Sequence, residues 1–254
     1  MAGILLCGCN GKMGRAVTLA VAEKEDSQIV AGIDLNCESK YGYPVFTSPN
    51  LIDKETIENI DVIIDFSNPA ALGGLLEFAV ANGKAAVICT TGLNDSQKSL
   101  IKSASAKIPV FFSANMSLGV NLICELARKA AKVLGDDFDI EIVEMHHNQK
   151  IDAPSGTALM IADEINAELG GDMNYEYDRQ SKREKRTKKE IGLHAVRGGT
   201  ITGEHEIIFA GHDEVIKISH SARSKELFAT GAVNAAEFIS GKEAGFYNMK
   251  DMLK

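Results

Sequence analysis

Short apolar runs alternate with segments of helical periodicity over most of the chain. The apolar runs predict buried parallel strands, because such strands are covered on both faces. They cover residues 3–7, 29–33, 61–65, 85–89 and 110–112, and residues 139–145 form a further predicted strand. The periodic segments predict helices at residues 16–22, 67–82, 94–107, 119–134, 155–169 and 226–239.

The pattern changes to successive short strands after Ile191. These strands cover residues 191–196, 204–209 and 214–220, with glycine-containing turns between them. Because the connections are short, we expect the three strands to pair sequentially and antiparallel. The chain is therefore predicted to be an α/β protein, with a Rossmann-type parallel sheet up to about residue 117. An α+β domain with a mixed, largely antiparallel sheet should follow.

A glycine-rich turn follows the first predicted strand. Gly8, Gly11 and Gly14 lie between that strand and the first helix, and Asp34 closes the next strand. Glycines let the backbone approach a pyrophosphate at the helix N-terminus, and an acid in that position hydrogen-bonds the adenine ribose. A glycine triplet also occurs in ordinary tight turns, but the order strand, turn, helix, strand and acid favours a dinucleotide site.

Polar residues end three further predicted strands, in the segments 65–67, 90–91 and 113–116. They are either simple turn formers or part of a ligand site. The carboxyl ends of parallel strands meet at the edge where doubly wound sheets bind ligands. Their repetition therefore favours a ligand site at this edge.

Residues 144–157 combine several chemistries in a short segment. These belong to a histidine pair, a lysine and a Ser-Gly-Thr turn: His146, His147, Lys150, Ser155, Gly156 and Thr157. The histidines exchange protons near neutral pH, the lysine supplies a cation or an acid, and the turn opens a helix that suits a carboxylate or phosphate. The alternative is an ordinary strand end, turn and capped helix. The lysine beside both other features favours a functional site.

Composition narrows the possible functions. The formal net charge of -8 disfavours a nucleic-acid-binding surface. No apolar run approaches the roughly 18 residues of a membrane span, and no signal segment is evident. We therefore expect a cytoplasmic protein with neither nucleic acid nor membrane as partner. The five cysteines are scattered, so we expect reduced thiols and no metal site.

Seven Lys or Arg residues lie within the segment 179–189. Such a run is typical of a solvated, mobile loop. The functional alternative is a lid that lends positive charge to an anionic ligand.

These segments together resemble the dihydrodipicolinate reductase (4-hydroxy-tetrahydrodipicolinate reductase) family of lysine and diaminopimelate biosynthesis. The likeness covers residues 8–14, 65–67, 89–92, 113–121, 144–157, 197–205 and 228–232. It implies reduction of a cyclic imine dicarboxylate to tetrahydrodipicolinate with NADH or NADPH. It also implies a homotetramer and a discontinuous nucleotide domain. Residues 1–117 and 227–254 would bind the dinucleotide, and residues 118–226 would bind substrate and form the tetramer.

The resemblance also implies roles for individual residues. The catalytic proton donor and a second catalytic cation would be His146 and Lys150. The substrate would contact His147, Ser155, Gly156 and Thr157. The cofactor would contact the glycine turn, the acid after the second strand and two further strand ends: Gly8, Cys9, Asn10, Gly11, Lys12, Met13, Asp34, Cys89, Thr90, Thr91, Ser113, Ala114, Asn115 and Met116.

Two departures from the family pattern bear on the cofactor. Asn10 replaces a common glycine, and we expect it to tolerate a left-handed backbone there. Leu35 follows Asp34 where NADPH-using members often have arginine. Asp34 should therefore repel a 2′-phosphate, so NADH is favoured. Lys12 in the glycine turn could offset that repulsion, which keeps NADPH open.

Two alternative functions also fit the sequence. One is another small-molecule nicotinamide dehydrogenase, such as a homoserine- or aspartate-semialdehyde-type enzyme, although no activated-cysteine motif supports the latter. The other is a regulator that binds NAD(H) without chemistry. Such a regulator would not need the pair of His146 and Lys150.

Overall fold

The structure is a computed structural model that describes residues 1–254. The chain forms two compact units. The first contains Met1–Ser117 together with Glu226–Lys254, and the second contains Leu118–Lys225. The chain thus leaves the first unit once and returns to it at its C-terminal end.

Twelve strands and eight α-helices form the two units. The strands are β1 (Ala2–Cys7), β2 (Ser27–Ile33), β3 (Val45–Phe46), β4 (Val62–Asp65), β5 (Ala85–Ile88), β6 (Pro109–Phe112), β7 (Asp139–His146), β8 (Asn174–Glu176), β9 (Glu190–Arg197), β10 (Gly203–Ala210), β11 (Val215–Ala222) and β12 (Gly245–Tyr247). The helices are α1 (Lys12–Ala22), α2 (Lys54–Glu58), α3 (Leu72–Ala81), α4 (Asp95–Ser105), α5 (Leu118–Leu134), α6 (Gly156–Glu168), α7 (Glu226–Ile239) and α8 (Met249–Met252).

The first unit is built on a seven-stranded sheet with the order β12-β6-β5-β4-β1-β2-β3. All of its strand pairs are parallel. Alternate residues of β1 point to opposite faces, so that Ile4 and Leu6 pack with α1 and α7 while Leu5 packs with α3 and α4. Helices therefore cover both faces, which explains why the strands are apolar along their length. The predicted Rossmann-type parallel sheet is confirmed.

Two edge strands of this sheet are absent from the sequence prediction. β3 and β12 contain only two and three residues, too few to show a periodic pattern. β12 follows α7 and pairs with β6. The C-terminal segment therefore completes the sheet that the N-terminal segment begins.

The second unit contains a five-stranded sheet with the order β11-β10-β7-β9-β8. β9 pairs in parallel with β7 and β8, and β10 pairs antiparallel with β7 and β11. One face of the sheet, including Ile142, Ile207 and Phe209, packs against residues of α5 and α6 such as Ala127 and Ile161. The predicted mixed sheet is confirmed, although parallel pairing has a larger share than expected.

The predicted sequential pairing of the late strands is only partly correct. β10 and β11 form the expected hairpin, but β7 lies between β9 and β10. The connection at 198–202 passes the end of β7, where Gly198 N donates to the carbonyl oxygen of His146 at 2.9 Å. Two strand spacings are about 10 Å, and a few extended residues span that distance. A short connection is therefore compatible with an intervening strand.

The basic segment at 179–189 contains no helix or strand, but it is not wholly solvated. The side chain of Arg186 is only 16% exposed and pairs with Asp139 and Glu141 of β7, both at 3.0 Å. Four further ion pairs join the segment to its surroundings: Arg179–Glu190, Lys182–Glu176, Lys188–Asp139 and Lys189–Asp172. Most residues of the segment are exposed, as predicted for a solvated loop, but five of its seven cations pair with the protein's own carboxylates.

The cysteines are free thiols, and all except Cys37 are buried. Burial raises the pKa of the Cys7 and Cys89 thiols, which keeps them protonated and unreactive. No three His, Cys, Asp or Glu side chains group closely enough to hold a metal ion. None of the helices combines the length and the apolar character needed to pass through a membrane.

Candidate active site

The glycine-rich turn after β1 has no room for side chains. Gly8 has a φ of 76°, and a Cβ on Gly14 would lie 2.2 Å from the carbonyl oxygen of Gly8. Gly11 is the N-cap of α1 and makes no side-chain cap, and the first turn of this helix contains no acidic residue. The N–H groups at the start of α1 therefore suit an anion that approaches the backbone closely.

The side chains of Cys9 and Asn10 pack and hydrogen-bond within the protein around this turn. Cys9 is fully buried, and a Cβ on Gly32 would lie 2.6 Å from its Sγ, so only its main chain can meet a ligand. Asn10 does not use the left-handed backbone that asparagine tolerates, because every residue with positive φ is a glycine. Instead, Asn10 Nδ2 donates to the carbonyl oxygens of Asn36 and Glu38 at 2.6 and 3.1 Å. This side chain holds the loop after β2 against the glycine turn.

Asp34 lies directly after β2 and beside the glycine turn. Its Oδ2 accepts the N–H of Asn10 at 2.9 Å, and its Oδ1 accepts the N–H of Asn36 at 3.1 Å. The next residue, Leu35, is 89% exposed and supplies no cation. Lys12 is exposed at the first position of α1. Two backbone N–H groups thus fix the carboxylate beside the glycine turn.

The carboxyl ends of β4, β5 and β6 surround a cavity of about 600 Å³. Its lining includes residues from the polar ends of three strands: Ser67, Cys89, Thr90, Thr91, Ser113, Ala114, Asn115 and Met116. Met13 at the start of α1 and Phe228 of α7 also line it. The structure therefore brings the predicted strand ends and the glycine turn to one edge of the sheet.

Asp65 ties two of these strand ends together. It is fully buried, and its carboxylate accepts the hydroxyls of Ser67 and Thr90 at 2.5 and 2.7 Å. Burial raises the pKa of Asp65, and the hydrogen bonds from Ser67 and Thr90 oppose that rise. Asp65 therefore holds the ends of β4 and β5 in place.

A buried carboxylate organises the end of β7 in the second unit. Glu144 is fully buried, and its Oε2 lies 2.6 Å from His146 Nδ1. Arg197 donates to both carboxylate oxygens at 2.8 and 2.7 Å, and the N–H of Ser155 donates to Oε1 at 3.0 Å. Burial alone would raise the pKa of Glu144, but the hydrogen bonds from Arg197, His146 and Ser155 outweigh it and the pKa is lowered.

His146 keeps its other nitrogen beside a glycine. A Cβ on Gly203 would lie 3.1 Å from His146 Nε2, so the missing side chain leaves room there. The ring of His205 packs edge-to-face against His146, with a centroid distance of 5.4 Å. Burial lowers the pKa of His205 to about 4, so this neighbour is neutral at neutral pH. His146 therefore has one nitrogen on a carboxylate and one available for chemistry.

Lys150 lies in the turn after β7. Its Nζ is 2.9 Å from Asp152 Oδ1, and its side chain is 21% exposed. Its charge also lowers the pKa of His205, which places the lysine in the same cluster as the histidines. His147 Nδ1 is buried and has no hydrogen-bond partner.

The Ser-Gly-Thr turn supplies a cap and a helix start. Ser155 is the N-cap of α6, and its Oγ accepts the N–H of Ala158 at 3.1 Å and lies 3.0 Å from His205 Nε2. Ser155 is only 2% exposed, so its hydroxyl serves the helix and His205 instead of facing a ligand. Gly156 is exposed and Thr157 is half-buried. At the start of α6, Gly156 is thus the residue of this turn that is exposed to solvent.

Three residues of this cluster are not predicted from the sequence: Glu144, Arg197 and His205. Sheet register brings them together, because His205 lies opposite Glu144 and Arg197 lies opposite His146 on the strands that flank β7. One local signal was present. Glu144 continues the alternating series of core-facing residues that includes Ile142, where an apolar residue is expected.

Comparisons with known proteins agree with this arrangement. Family models described as the N-terminus and the C-terminus of dihydrodipicolinate reductase match residues 2–116 and 119–253. The chain is 50% identical to a 4-hydroxy-tetrahydrodipicolinate reductase of Caldanaerobacter subterraneus subsp. tengcongensis, over 100% of this chain and 99% of that protein. It is 47% identical to the protein of the same name from Clostridium tetani, over 100% and 97% of the two chains.

Solved structures show the same relationship. A dipicolinate-bound dihydrodipicolinate reductase from Paenisporosarcina sp. TG-14 has a TM-score of 0.80 at 25% identity, with 100% of both chains covered. A myo-inositol dehydrogenase from Corynebacterium glutamicum, with a TM-score of 0.60 at 18% identity over 99% of this chain and 92% of that one, shares the fold alone. From the glycine turn to the cluster around His146, this chain belongs to the dihydrodipicolinate reductase family of oxidoreductases.

Proposed function

We propose that this chain is an NAD(P)H-dependent 4-hydroxy-tetrahydrodipicolinate reductase of lysine and diaminopimelate biosynthesis. Its substrate is the cyclic imine dicarboxylate that forms from 4-hydroxy-tetrahydrodipicolinate by loss of water, and its product is tetrahydrodipicolinate. The observation that carries the proposal is His146, whose Nδ1 contacts buried Glu144 while Nε2 keeps room beside Gly203. The full-length identity to enzymes of this name supports it.

A nicotinamide nucleotide fits the first unit. The uncapped start of α1 and the cradle at Gly8 and Gly14, which a Cβ would fill, suit a pyrophosphate. Asp34 suits the adenine ribose, and the cavity at residues 89–91 and 113–116 suits the nicotinamide half. When bound, the reduced nicotinamide supplies a hydride to the ring carbon conjugated with the imine.

The second unit supplies the proton and holds the substrate. Reduction moves electron density to the ring nitrogen and gives an enamine, which needs a proton to settle as product. His146 Nε2 is the proposed donor, and Lys150 stabilises the negative charge or relays a proton. The substrate carboxylates are held by Lys150, by His147 and by the start of α6 at Gly156 and Thr157.

NADH is the proposed preferred cofactor. The carboxylate of Asp34 repels a 2′-phosphate placed on the same ribose, and exposed Leu35 supplies no compensating charge. Lys12 is exposed at the start of α1, next to the glycine turn. Its charge keeps NADPH usable as a second cofactor.

We also propose that four chains assemble through the second unit. The support is the sheet face opposite α5 and α6, where Val143, Met145 and Ile208 are only half-buried. Apolar residues in alternation on an open sheet face are typical of sheet-to-sheet contacts. Light scattering should give four times the 27.3 kDa chain mass, and a monomer at assay concentrations would contradict this assembly.

Loss of NADH absorbance in the presence of the cyclic imine, generated in a coupled assay, tests the proposed activity. We expect NADH to be consumed only when the imine is supplied. A regulator would bind NADH without consuming it. Another dehydrogenase would leave NADH intact with this imine and consume it with a different substrate.

A further inference from the structure

Glu144 is surrounded by hydrogen-bond donors. Arg197 Nη1 and Nη2 and the backbone N–H of Ser155 reach its two oxygens, and none of these groups can accept a hydrogen bond. The remaining contact, His146 Nδ1 at 2.6 Å, is the one whose direction depends on a tautomer. The lowered pKa of Glu144 indicates an ionised carboxylate, which can only accept. His146 must therefore carry a hydrogen on Nδ1.

Arg197 connects this carboxylate to the turn that carries Lys150. Its Nη2 donates to the carbonyl oxygen of Asp152 at 2.7 Å as well as to Glu144, and the side chain of Asp152 pairs with Lys150 Nζ at 2.9 Å. A planar guanidinium can make these contacts at once, whereas a lysine ammonium cannot match both carboxylate oxygens in one plane. One side chain thus contacts the supports of both proposed catalytic groups.

We propose that Glu144 and Arg197 are positioning residues for the proton transfer. Glu144 fixes His146 as the Nδ1–H tautomer, and Arg197 holds Glu144 and the turn that carries Lys150. The inference rests on the proposed function and adds two residues to it. With Nδ1 committed to the carboxylate, Nε2 is the nitrogen that gains and releases the transferred proton. A buried carboxylate orients the histidine of hydrolase triads in the same manner, without itself taking the proton.

Glu141 offers a matched control on the same strand. Its carboxylate also contacts an arginine and a histidine, with Arg186 Nε at 3.0 Å and His194 Nε2 at 2.7 Å. It lies three residues before Glu144, so its side chain points to the opposite face of β7. Glu141→Gln therefore removes a similar set of contacts, in a more exposed setting, and leaves those of His146 intact.

Steady-state kinetics of Glu144→Gln in the coupled NADH assay are the first test. We expect kcat to fall by about 10²-fold, within the roughly 10²–10⁴-fold that a positioned general acid contributes. The KM for the imine should change by less than about threefold, because the interaction that is lost acts in the transition state. Glu141→Gln should keep the wild-type kcat. A Glu144→Gln variant with wild-type kcat would overturn the inference.

A double-mutant cycle separates positioning from a general structural role. If Glu144 acts through His146, then Glu144→Gln should cost nothing further in a protein that already carries His146→Gln. A structural role would lower kcat by the same factor in both backgrounds. That second result would also overturn the inference.

A second variant covers the case in which Glu144→Gln does not fold, since it leaves the half-buried Arg197 charge without its carboxylate partner. The variant Glu144→Gln/Arg197→Met removes both charges and keeps similar side-chain volumes. Long-range ¹H–¹⁵N spectra of histidine-labelled protein then report the tautomer without substrate. We expect neutral His146 to carry its hydrogen on Nδ1 in the wild type and to become a tautomer mixture in this variant. An Nε2–H tautomer in the wild type would refute the proposal.

Failure of this inference is distinguishable from failure of the proposed function. A wild-type protein that leaves NADH intact with the imine refutes the function. An active wild type with an equally active Glu144→Gln variant refutes only the positioning role.

Discussion

Two buried polar residues, one ionised and one neutral, contact His146, the proposed proton donor. Glu144 and His205 lie opposite each other on neighbouring strands, and both are buried. Glu144 stays ionised because donors saturate it, whereas His205 stays neutral because burial lowers its pKa to about 4. His146 therefore meets one fixed negative charge and one neutral ring.

The neutral state of His205 predicts a pH dependence of stability. An unfolded histidine titrates at about 6.5, so the unfolded chain takes up this proton before the folded one does. The stability that neutral His205 contributes is complete above about pH 6.5 and is lost as the pH falls toward 4. Between pH 7 and 4.5 the loss should be about 2–3 kcal/mol.

Urea unfolding of wild type and His205→Gln at pH 7 and pH 4.5 measures the pH-dependent contribution of His205 to the free energy of unfolding. Glutamine does not titrate, and the contributions of the carboxylates cancel in the difference between the two proteins. We expect the variant to lose about 2–3 kcal/mol less than the wild type on acidification. Equal losses would show that His205 is not held neutral in the folded protein.

Lys150 should act on substrate binding as well as on chemistry. Lys150→Ala removes the proposed charge-assisted contact to a substrate carboxylate. The KM for the imine should therefore rise by about 10- to 100-fold. Lys150→Arg keeps the charge and should raise KM less. An unchanged KM in Lys150→Ala would confine this lysine to proton transfer.

The sequence indicates the two residues proposed to react, but not the residues that hold them in place. His146 and Lys150 stand out because they lie four residues apart beside a helix start. Arg197 is 53 residues from Glu144, and only the register of β7 with β9 brings them together. No local pattern encodes that register.

Among the elements, α1 and α6 begin in opposite ways. The N-cap of α1 is a glycine without a side-chain cap, and the N-cap of α6 is Ser155, whose hydroxyl caps the helix. The first arrangement leaves N–H groups for a ligand, and the second fixes the helix start beside Glu144. The start of α1 therefore suits a pyrophosphate, whereas Ser155 caps α6 and leaves only Gly156 and Thr157 for the proposed substrate contact.

Gly14→Ala tests the glycine turn. Its Cβ would lie 2.2 Å from the carbonyl oxygen of Gly8 and 2.5 Å from that of Cys9, so the turn must shift. We expect the Kd for NADH to rise by more than about tenfold, as the pyrophosphate loses backbone contacts. Gly73→Ala is the control, because its Cβ would meet nothing within 4 Å. NADH titration followed by fluorescence measures both, and equal affinities would argue against pyrophosphate binding at this turn.

Sequence patterns predict the strands of this protein better than they predict the order of those strands in a sheet. Apolar runs located the central strands of the first sheet, because burial on both faces leaves a clear signal. The second sheet has β7 between β9 and β10, an order that the apolar pattern of these strands does not encode. The length of a loop limits the distance between the two strands that it joins. It does not determine which strand of the sheet lies beside which.

For the whole molecule, the proposed cofactor preference depends on two charges, Asp34 after β2 and Lys12 at the start of α1. In this proposal Asp34 disfavours a 2′-phosphate and Lys12 favours it. We expect a higher kcat/KM with NADH than with NADPH, and Lys12→Ala should lower the value for NADPH more than that for NADH. Both follow from initial rates on one preparation. An NADPH preference above about tenfold would contradict this assignment of Asp34.

The most direct test of the account is the kcat of His146→Gln in the coupled NADH assay, with the Kd for NADH measured on the same protein. If His146 donates the proton, kcat should fall by about 10²–10⁴-fold, the contribution of a positioned general acid, while NADH binding stays at the wild-type level. A His146→Gln variant that binds NADH and turns over at a near-normal rate would contradict it.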